Sequence, residues 1–319
     1  MQWHNRFVPI VDTHADSLLS VVNGDRHLTR RSEQGQLDFP RLQQVGSTLQ
    51  FLSCWVEPQF KPERALTRQL AFLDAFWQEM DQNPGVIAVT DTDSLNAVVQ
   101  TQSTGVALSI EGAEAVGTDP AVVRLLYRLG VRLMSLTWNE RNALADGAGE
   151  DPGGYGLSRA GRRIIAEMNR LKMVVDVSHL AHQGFWDVLE TSTRPVIASH
   201  SNCRALCDHK RNLTDGQVRA LAAQGGVQGI AFVRDFLGGA EDLNRVVDHM
   251  AYAMDLVGSD KHIGLGSDFD GVDRPVLGLE DVTCLPHLAD RMSARNFSDE
   301  TIARIFGENY LAFYRQAWT

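Results

Sequence analysis

The sequence is poor in cysteine, in clustered basic residues and in long apolar runs. Four cysteines complete no zinc-ribbon spacing, and reduced thiols suit a cytoplasmic protein: Cys54, Cys203, Cys207 and Cys284. No run approaches the roughly 20 apolar residues of a membrane-spanning helix, and no signal peptide or anchor pattern occurs. The formal net charge is −10 without a basic block, which argues against nucleic acid and anionic membranes as partners. A cytoplasmic protein without a membrane anchor is therefore expected.

Two kinds of segment alternate along the 319 residues. Apolar, β-branched runs that fit strands cover residues 7–12, 47–56, 105–110, 131–137, 173–178, 195–199, 226–232 and 262–267. Amphipathic stretches that fit helices cover residues 62–80, 120–129, 158–171, 182–189, 214–223 and 241–257. Strands that alternate with helices pair in parallel, and eight of them predict a (β/α)8 barrel, with a doubly wound sheet as the alternative. No linker or repeat divides the chain, so one domain over residues 1–319 is predicted.

Ionisable side chains follow directly after several of the predicted strands. They are His14, Asp16, Glu111, His179, His200 and Asp268. Because the carboxyl ends of barrel strands emerge at one face, we expect these six side chains to converge there. Imidazoles and carboxylates in this number are enough for a site with two metal ions. Glu111 has a strand end to itself and is the candidate to bridge the two ions.

Each of these residues also has an ordinary structural interpretation. His179 or His200 alone fits a hydrogen-bonded histidine at a strand end, and Asp268 fits a turn or a helix cap. Asp176, inside an apolar strand, fits a partner that orients a ligand histidine. The other seven histidines have no such placement and are interpreted as surface or structural residues. A single metal site explains why ionisable residues follow all of these strands, and this favours it over a separate explanation for each residue.

Seven segments together resemble the membrane (renal) dipeptidase family, zinc peptidases of the metal-dependent hydrolase (amidohydrolase) superfamily, in a soluble bacterial-type form. In chain order they are Val11–Asp16, Ser109–Gly112, Asp176–His179, Ser199–Asn202, Lys210–Leu213, Gly266–Gly271 and Gly307–Tyr310. The resemblance implies a (β/α)8 barrel that binds two zinc ions. It implies that His14 and Asp16 bind one ion, that His179 and His200 bind the other, and that Glu111 bridges them.

The resemblance also implies the reaction and the roles of further residues. A dipeptide is hydrolysed by a metal-bridging hydroxide, with tolerance of a D-residue on the carboxyl side. Asp268 would hold and deprotonate the attacking water, and Arg211 would bind the substrate carboxylate, although nothing local distinguishes Arg211 from Lys210. A homodimer is consistent with the family.

One departure from the mammalian members affects the substrate site. Where those members have a histidine, Trp138 follows Leu136–Thr137 here, and either its indole N–H or Asn139 is the candidate donor to the substrate. The glycine-rich segment 147–156 that follows fits either a lid over the barrel mouth or a plain connector. The prediction is a zinc-dependent dipeptidase. The alternatives are another binuclear amidohydrolase that acts on a different amide or lactone, and an inactive metal-binding scaffold.

Overall fold

A computed structural model describes residues 1–4, 6–238 and 242–319. The strands in these residues are Gln2–Trp3 (β1), Arg6–Phe7 (β2), Val11–Asp12 (β3), Leu49–Trp55 (β4), Val86–Ala88 (β5), Thr104–Glu111 (β6), Val131–Ser135 (β7), Val174–Asp176 (β8), Ile197–Ala198 (β9), Val227–Ile230 (β10) and Ile263–Leu265 (β11). β1 and β2 form a separate antiparallel pair. All the other pairings are parallel.

Eight of the described strands close into a barrel in the order β3-β4-β6-β7-β8-β9-β10-β11. β11 pairs with β3, and β4 pairs with both β3 and β6, so the sheet returns to its first strand. Each predicted run overlaps one of these strands, which confirms the (β/α)8 barrel and rules out the doubly wound sheet. β5, which was not predicted, pairs only with the beginning of β6. The organisation as one domain stays a prediction.

Helices follow the barrel strands along the described chain. They are Ser17–Val22 (α1), Phe39–Val45 (α2), Ala65–Asp81 (α3), Thr92–Thr101 (α4), Pro120–Arg128 (α5), Arg159–Leu171 (α6), His182–Thr191 (α7), Asp215–Ala223 (α8), Arg234–Leu237 (α9), Leu243–Val257 (α10), Leu285–Ala294 (α11), Asp299–Ala303 (α12) and Asn309–Ala317 (α13). Short 3-10 turns occur at Pro58–Phe60, Glu114–Val116, Ala148–Glu150 and Val282–Cys284, and a π-helical turn at Arg304–Glu308 joins α12 to α13. Within the described ranges, no helix is both long and apolar enough to cross a lipid bilayer.

Side-chain caps fix the beginnings of several predicted helices. Ser158 Oγ accepts a hydrogen bond from the Gly161 backbone N–H at 3.0 Å, and α6 begins directly after Ser158, at Arg159. Thr214 and Gln217 form a reciprocal capping box at the start of α8. The helix predicted over 241–257 is α10, and Glu241 lies outside the described residues.

The last helix, α13, fills the end of the barrel at which the strands begin. Tyr310 and Tyr314 are fully buried among inward-facing residues of the strands. The Tyr310 hydroxyl lies 3.2 Å from the hydroxyl of Thr13, the residue before His14. A Cβ at Gly264 would lie 2.1 Å from a ring carbon of Tyr310, so glycine is needed there to admit the ring. This floor leaves the open space of the barrel at the opposite end, where the strands finish.

Candidate metal centre and active site

The open end of the barrel brings together the six ionisable residues that were predicted to converge. Glu111 is the last residue of β6, and the other five follow the ends of β3, β8, β9 and β11. His14, Glu111, His179 and His200 are each at most 5% exposed. Three residues beside the centre have left-handed backbone angles, with φ of +69° at His179, +64° at Asp268 and +65° at Asp270. Such angles are costly for side chains other than glycine and occur mainly where function constrains the backbone.

Glu111 Oε1 lies at the middle of three imidazoles. It is 2.7 Å from His179 Nε2, 3.4 Å from His200 Nε2 and 3.7 Å from His14 Nε2. The Nε2 atoms of His179 and His200 are 2.9 Å apart. Glu111 thus lies between His14 on one side and the pair His179 and His200 on the other. This position is compatible with the bridging role that the strand pattern predicted for it.

His14 also faces two further carboxylates. Its Nε2 atom lies 3.6 Å from Asp16 Oδ2 and 3.8 Å from Asp268 Oδ1. Among the described residues, His14 Nε2 and Asp16 Oδ1 are buried without a hydrogen-bond partner. Around a tetrahedral zinc ion with ligand distances of about 2.0–2.1 Å, ligand atoms lie roughly 3.3 Å apart. The spacing of the donors and the unpartnered buried atoms both fit metal ions bound in this cluster.

The electrostatics of the cluster show its need for positive charge. Burial by itself lowers the pKa of His14, but the carboxylates of Glu111, Asp16 and Asp268 outweigh it and raise this pKa to about 10. Burial raises the pKa of Asp268 to about 7, and the neighbouring carboxylates of Asp16 and Glu111 add to this effect. Burial also raises the pKa of Asp16 and of Glu111. In the metal-free protein, protons supply charge that metal ions would otherwise provide.

His179 and His200 behave in the opposite way to His14. Burial, together with the positive charges of Arg211 and His14, holds the pKa of each well below its ordinary value. Both imidazoles are therefore neutral, which is the form that binds a metal ion.

In each of these two rings, the Nδ1 atom contacts a polar side chain. His179 Nδ1 lies 3.0 Å from Asn139 Oδ1, and His200 Nδ1 lies 2.6 Å from Ser199 Oγ. A partner on Nδ1 leaves Nε2 of each ring to face Glu111. Asn139, which was predicted to contact the substrate, is thus also a partner of His179.

A cavity of about 350 Å³ opens over the cluster. The predicted site residues that line it are Asp16, Glu111, Trp138, Asn139, His179, Arg211 and Asp268. Arg211 is buried, whereas the adjacent Lys210 is exposed, and this difference could not be derived from the sequence. Arg211 Nη2 donates to the His200 carbonyl at 3.2 Å, and its Nε has no partner among the described residues. The guanidinium therefore keeps a free donor, and its place beside the cavity suits recognition of a carboxylate.

Trp138 forms an aromatic wall beside the cluster. Its ring centroid lies 6.0 Å from that of His179, with the two planes 28° apart, and 5.0 Å from that of Trp55. Lys61 Nζ lies 5.4 Å from the centroid of Trp138 and pairs with Glu114 at 3.3 Å. On this side of the cavity Trp138 therefore supplies an aromatic ring and not an imidazole.

The glycine-rich segment 147–156 is hydrogen-bonded to the backbone of residues at the site. Its Ala148 N–H donates to the His179 carbonyl at 2.7 Å, and its Gly149 N–H donates to the Asn139 carbonyl at 2.8 Å. A Cβ at Gly147 would lie 2.2 Å from the Trp138 carbonyl oxygen, so glycine permits this close contact. These bonds favour the interpretation of the segment as a connector that supports the site.

The sequence profile of the membrane dipeptidase family, peptidase family M19, matches residues 4–319. The chain belongs to this family. A dipeptidase of Aspergillus oryzae, aclJ, is 33% identical over 327 residues, which cover 95% of this chain and 77% of that protein. Membership of the M19 family therefore supports the assignment of this protein as a metallo-dipeptidase, which is a hydrolase. It also implies that the activity depends on metal.

Solved structures agree with the family membership. A metallopeptidase described as dipeptidase AC of family M19 is 29% identical and superposes with a TM-score of 0.92, covering 98% of this chain and 99% of that one. A metallopeptidase from Rhodobacter sphaeroides is 28% identical, with a TM-score of 0.92 and coverages of 98% and 100%. That protein was solved with a phosphinate mimic of the dipeptide L-Ala-D-Ala.

Two further residues of this M19 chain lie at the site although the sequence pattern assigned them no role. Asp270 lines the cavity, and its carboxylate accepts hydrogen bonds from Arg26 Nη2 at 2.6 Å and from the Gln36 N–H at 2.5 Å. Ser199 contacts His200, as described above. Both lie inside segments that carry the family resemblance, Gly266–Gly271 and Ser199–Asn202, and this is the signal that could have found them.

Proposed function

We propose that this M19 protein hydrolyses dipeptides with two zinc ions and tolerates a D-residue on the carboxyl side. His14 and Asp16 would hold one ion, His179 and His200 the other, and Glu111 would bridge them. The observation that carries the assignment is the position of Glu111 Oε1, within 3.7 Å of the Nε2 atoms of all three histidines.

The bound ions would lower the pKa of the attacking water and polarise the scissile carbonyl. Asp268 would take the proton of that water and pass it to the leaving amine. The position of Asp268 supports this role, because its Oδ1 atom lies 3.8 Å from His14 Nε2, a proposed ligand atom, and the residue lines the cavity.

Arg211 would bind the terminal carboxylate of the dipeptide through its free Nε and a second N–H donor. Trp138 and Asn139 would line the same binding site, with the indole and the amide as further contacts. Tolerance of a D-residue is supported by the relative from Rhodobacter sphaeroides, whose bound phosphinate mimics the dipeptide L-Ala-D-Ala.

Metal analysis and a substrate panel test the proposal together. We expect two zinc ions per chain and turnover of both L,L and L,D dipeptides, with loss of turnover after chelation and recovery on addition of zinc. N-acyl amino acids and lactones serve as the comparison substrates. Turnover of these in preference to every dipeptide would support the alternative amidohydrolase, while metal binding with no turnover at all would support the scaffold.

A further inference from the structure

The hydroxyl of Ser199 lies between a carboxylate and an imidazole. Ser199 Oγ is 2.5 Å from Asp176 Oδ2 and 2.6 Å from His200 Nδ1. Asp176, Ser199 and His200 are all at most 4% exposed. The three side chains therefore form a buried row that ends at the His200 ring, whose other nitrogen, Nε2, lies 3.4 Å from Glu111 Oε1.

The Asp176 carboxylate accepts hydrogen bonds from the backbone at the ends of two neighbouring strands, β8 and β9. Asp176 Oδ1 accepts hydrogen bonds from the backbone N–H groups of Ser178 and Ser199, each at 2.9 Å. Its Oδ2 atom is then the acceptor that remains for the Ser199 hydroxyl. Because that hydroxyl has a single proton and gives it to Asp176, its oxygen can only accept a hydrogen bond from His200 Nδ1.

The barrel contains a second pair of the same design, which provides an internal comparison. Asp12 Oδ1 accepts from the Ser267 backbone N–H at 2.9 Å, and Asp12 Oδ2 accepts from Ser267 Oγ at 2.5 Å. The other contacts of Ser267 Oγ are with the backbone: it accepts a hydrogen bond from the Phe269 N–H at 3.1 Å and lies 3.1 Å from the His14 carbonyl oxygen. An aspartate–serine pair that ties two strand ends thus has no inherent need of a ring nitrogen, and the contact with His200 is an additional feature.

We infer that Ser199 is a positioning residue that connects Asp176 to His200 and keeps the His200 proton on Nδ1. The lone pair of Nε2 is then directed at the cluster around Glu111. The inference rests on the proposed function only in taking His200 as a metal ligand. Partners of this kind behind a ligand histidine typically change metal affinity by about 10–100-fold.

The Asp176→Asn variant gives the sharpest test, because it preserves shape and reverses the direction of donation. An amide at position 176 donates to Ser199 Oγ, so the serine proton turns to His200 Nδ1 and the imidazole proton moves to Nε2. We expect ¹⁵N NMR of histidine-labelled, metal-free protein to show His200 with its proton on Nδ1 in the wild type and on Nε2 in this variant. Asp12→Asn, in the second pair, should leave the His200 signal as in the wild type.

Zinc affinity, measured by competition with a chelator, provides a second readout. Ser199→Ala should weaken one of the two zinc sites by about 10–100-fold, and Ser199→Thr, which keeps the hydroxyl, should restore it. A wild-type proton on Nε2, or an unchanged tautomer in Asp176→Asn, would overturn the inference. So would zinc affinities of Ser199→Ala within twofold of the wild type. The NMR result is obtained without metal or substrate, so it stands apart from any failure of the proposed dipeptidase activity.

Discussion

Asn139 Oδ1 lies 3.0 Å from His179 Nδ1, on the side of the ring away from Glu111. We therefore expect Asn139→Ala to weaken zinc binding by about 10–100-fold, because the ring loses the partner that orients it. Competition with a chelator measures this, and Glu140→Gln, at the exposed neighbouring position, is the control. A raised KM with unchanged zinc affinity would show instead that Asn139 acts on the substrate alone.

Removal of an imidazole should have a more severe effect than loss of its partner. His179→Ala is expected to abolish both metal occupancy at its site and dipeptide hydrolysis. The substitution removes a proposed metal ligand, the imidazole that lies nearest to Glu111. Metal content per chain and turnover are the measurements. His182→Ala is the matched control, because this histidine is exposed and lies only three residues away. Retained turnover in His179→Ala would contradict the assignment of the site.

Asp268 should separate proton transfer from metal binding. Asp268→Asn keeps the size of the side chain but removes the base, so kcat should fall by about 10²–10⁴-fold. The variant should retain at least the ion at His179 and His200, as measured by metal analysis. Asp255→Asn, at an exposed position on α10, controls for the loss of one negative charge. A kcat within a few-fold of the wild type would exclude Asp268 as the base.

Arg211 should distinguish substrates by their terminal carboxylate. Arg211→Lys keeps the charge but loses the planar pair of donors, and kcat/KM for dipeptides should fall by roughly 10–100-fold. Dipeptide amides, which lack that carboxylate, should show a much smaller change. Lys210→Ala is the control at the exposed adjacent position. An equal loss for the acids and the amides would show that Arg211 supports the fold and does not read the carboxylate.

The raised pKa of His14 predicts how the stability of the metal-free protein depends on pH. The folded-state pKa of about 10 lies above the unfolded value of about 6.5, so the bound proton stabilises the fold fully below pH 6.5. That stabilisation is lost as the pH rises towards 10. Between pH 7 and 9 the free energy of unfolding should fall by about 2.5 kcal/mol, at about 1.4 kcal/mol per pKa unit.

Urea denaturation of the metal-free wild type and of His14→Gln checks this expectation. The variant has no imidazole to lose a proton, so the part of the decline that belongs to His14 should be absent. The zinc-loaded wild type should likewise be insensitive, because a metal ion takes the place of the proton. An equal decline in the wild type and the variant would assign the effect to other groups.

The barrel and the convergence of the six ionisable residues could be predicted because both follow from local pattern. Apolar runs mark strands, parallel strands finish at one face, and a residue directly after a run must then lie at that face. The three-residue strand β5 was not predicted because a run so short has no measurable period. The same limit applies to the floor of the barrel, where α13 enters through contacts with residues distant in sequence.

The direct contacts of the site histidines could not be predicted because they depend on the paths of loops. Asn139 and Ser199 each lie next to a candidate functional residue in sequence, yet the sequence does not say which ring nitrogen they contact. The burial of Arg211 beside an exposed Lys210 depends in the same way on how one loop turns. Spacing along the chain identifies the residues of this site, whereas the orientation of their side chains is a tertiary property.

The contact between Tyr310 and Thr13 has a consequence for the order in which the protein matures. Donors of the cluster come from residues as far apart as His14 and Asp268, and the barrel beneath them is closed by a helix that begins at Asn309. During synthesis, almost all of the described chain must leave the ribosome before this floor can form. The cluster can therefore reach its final geometry only after the residues of α13 have been synthesised, although His14 is made near the beginning of the chain.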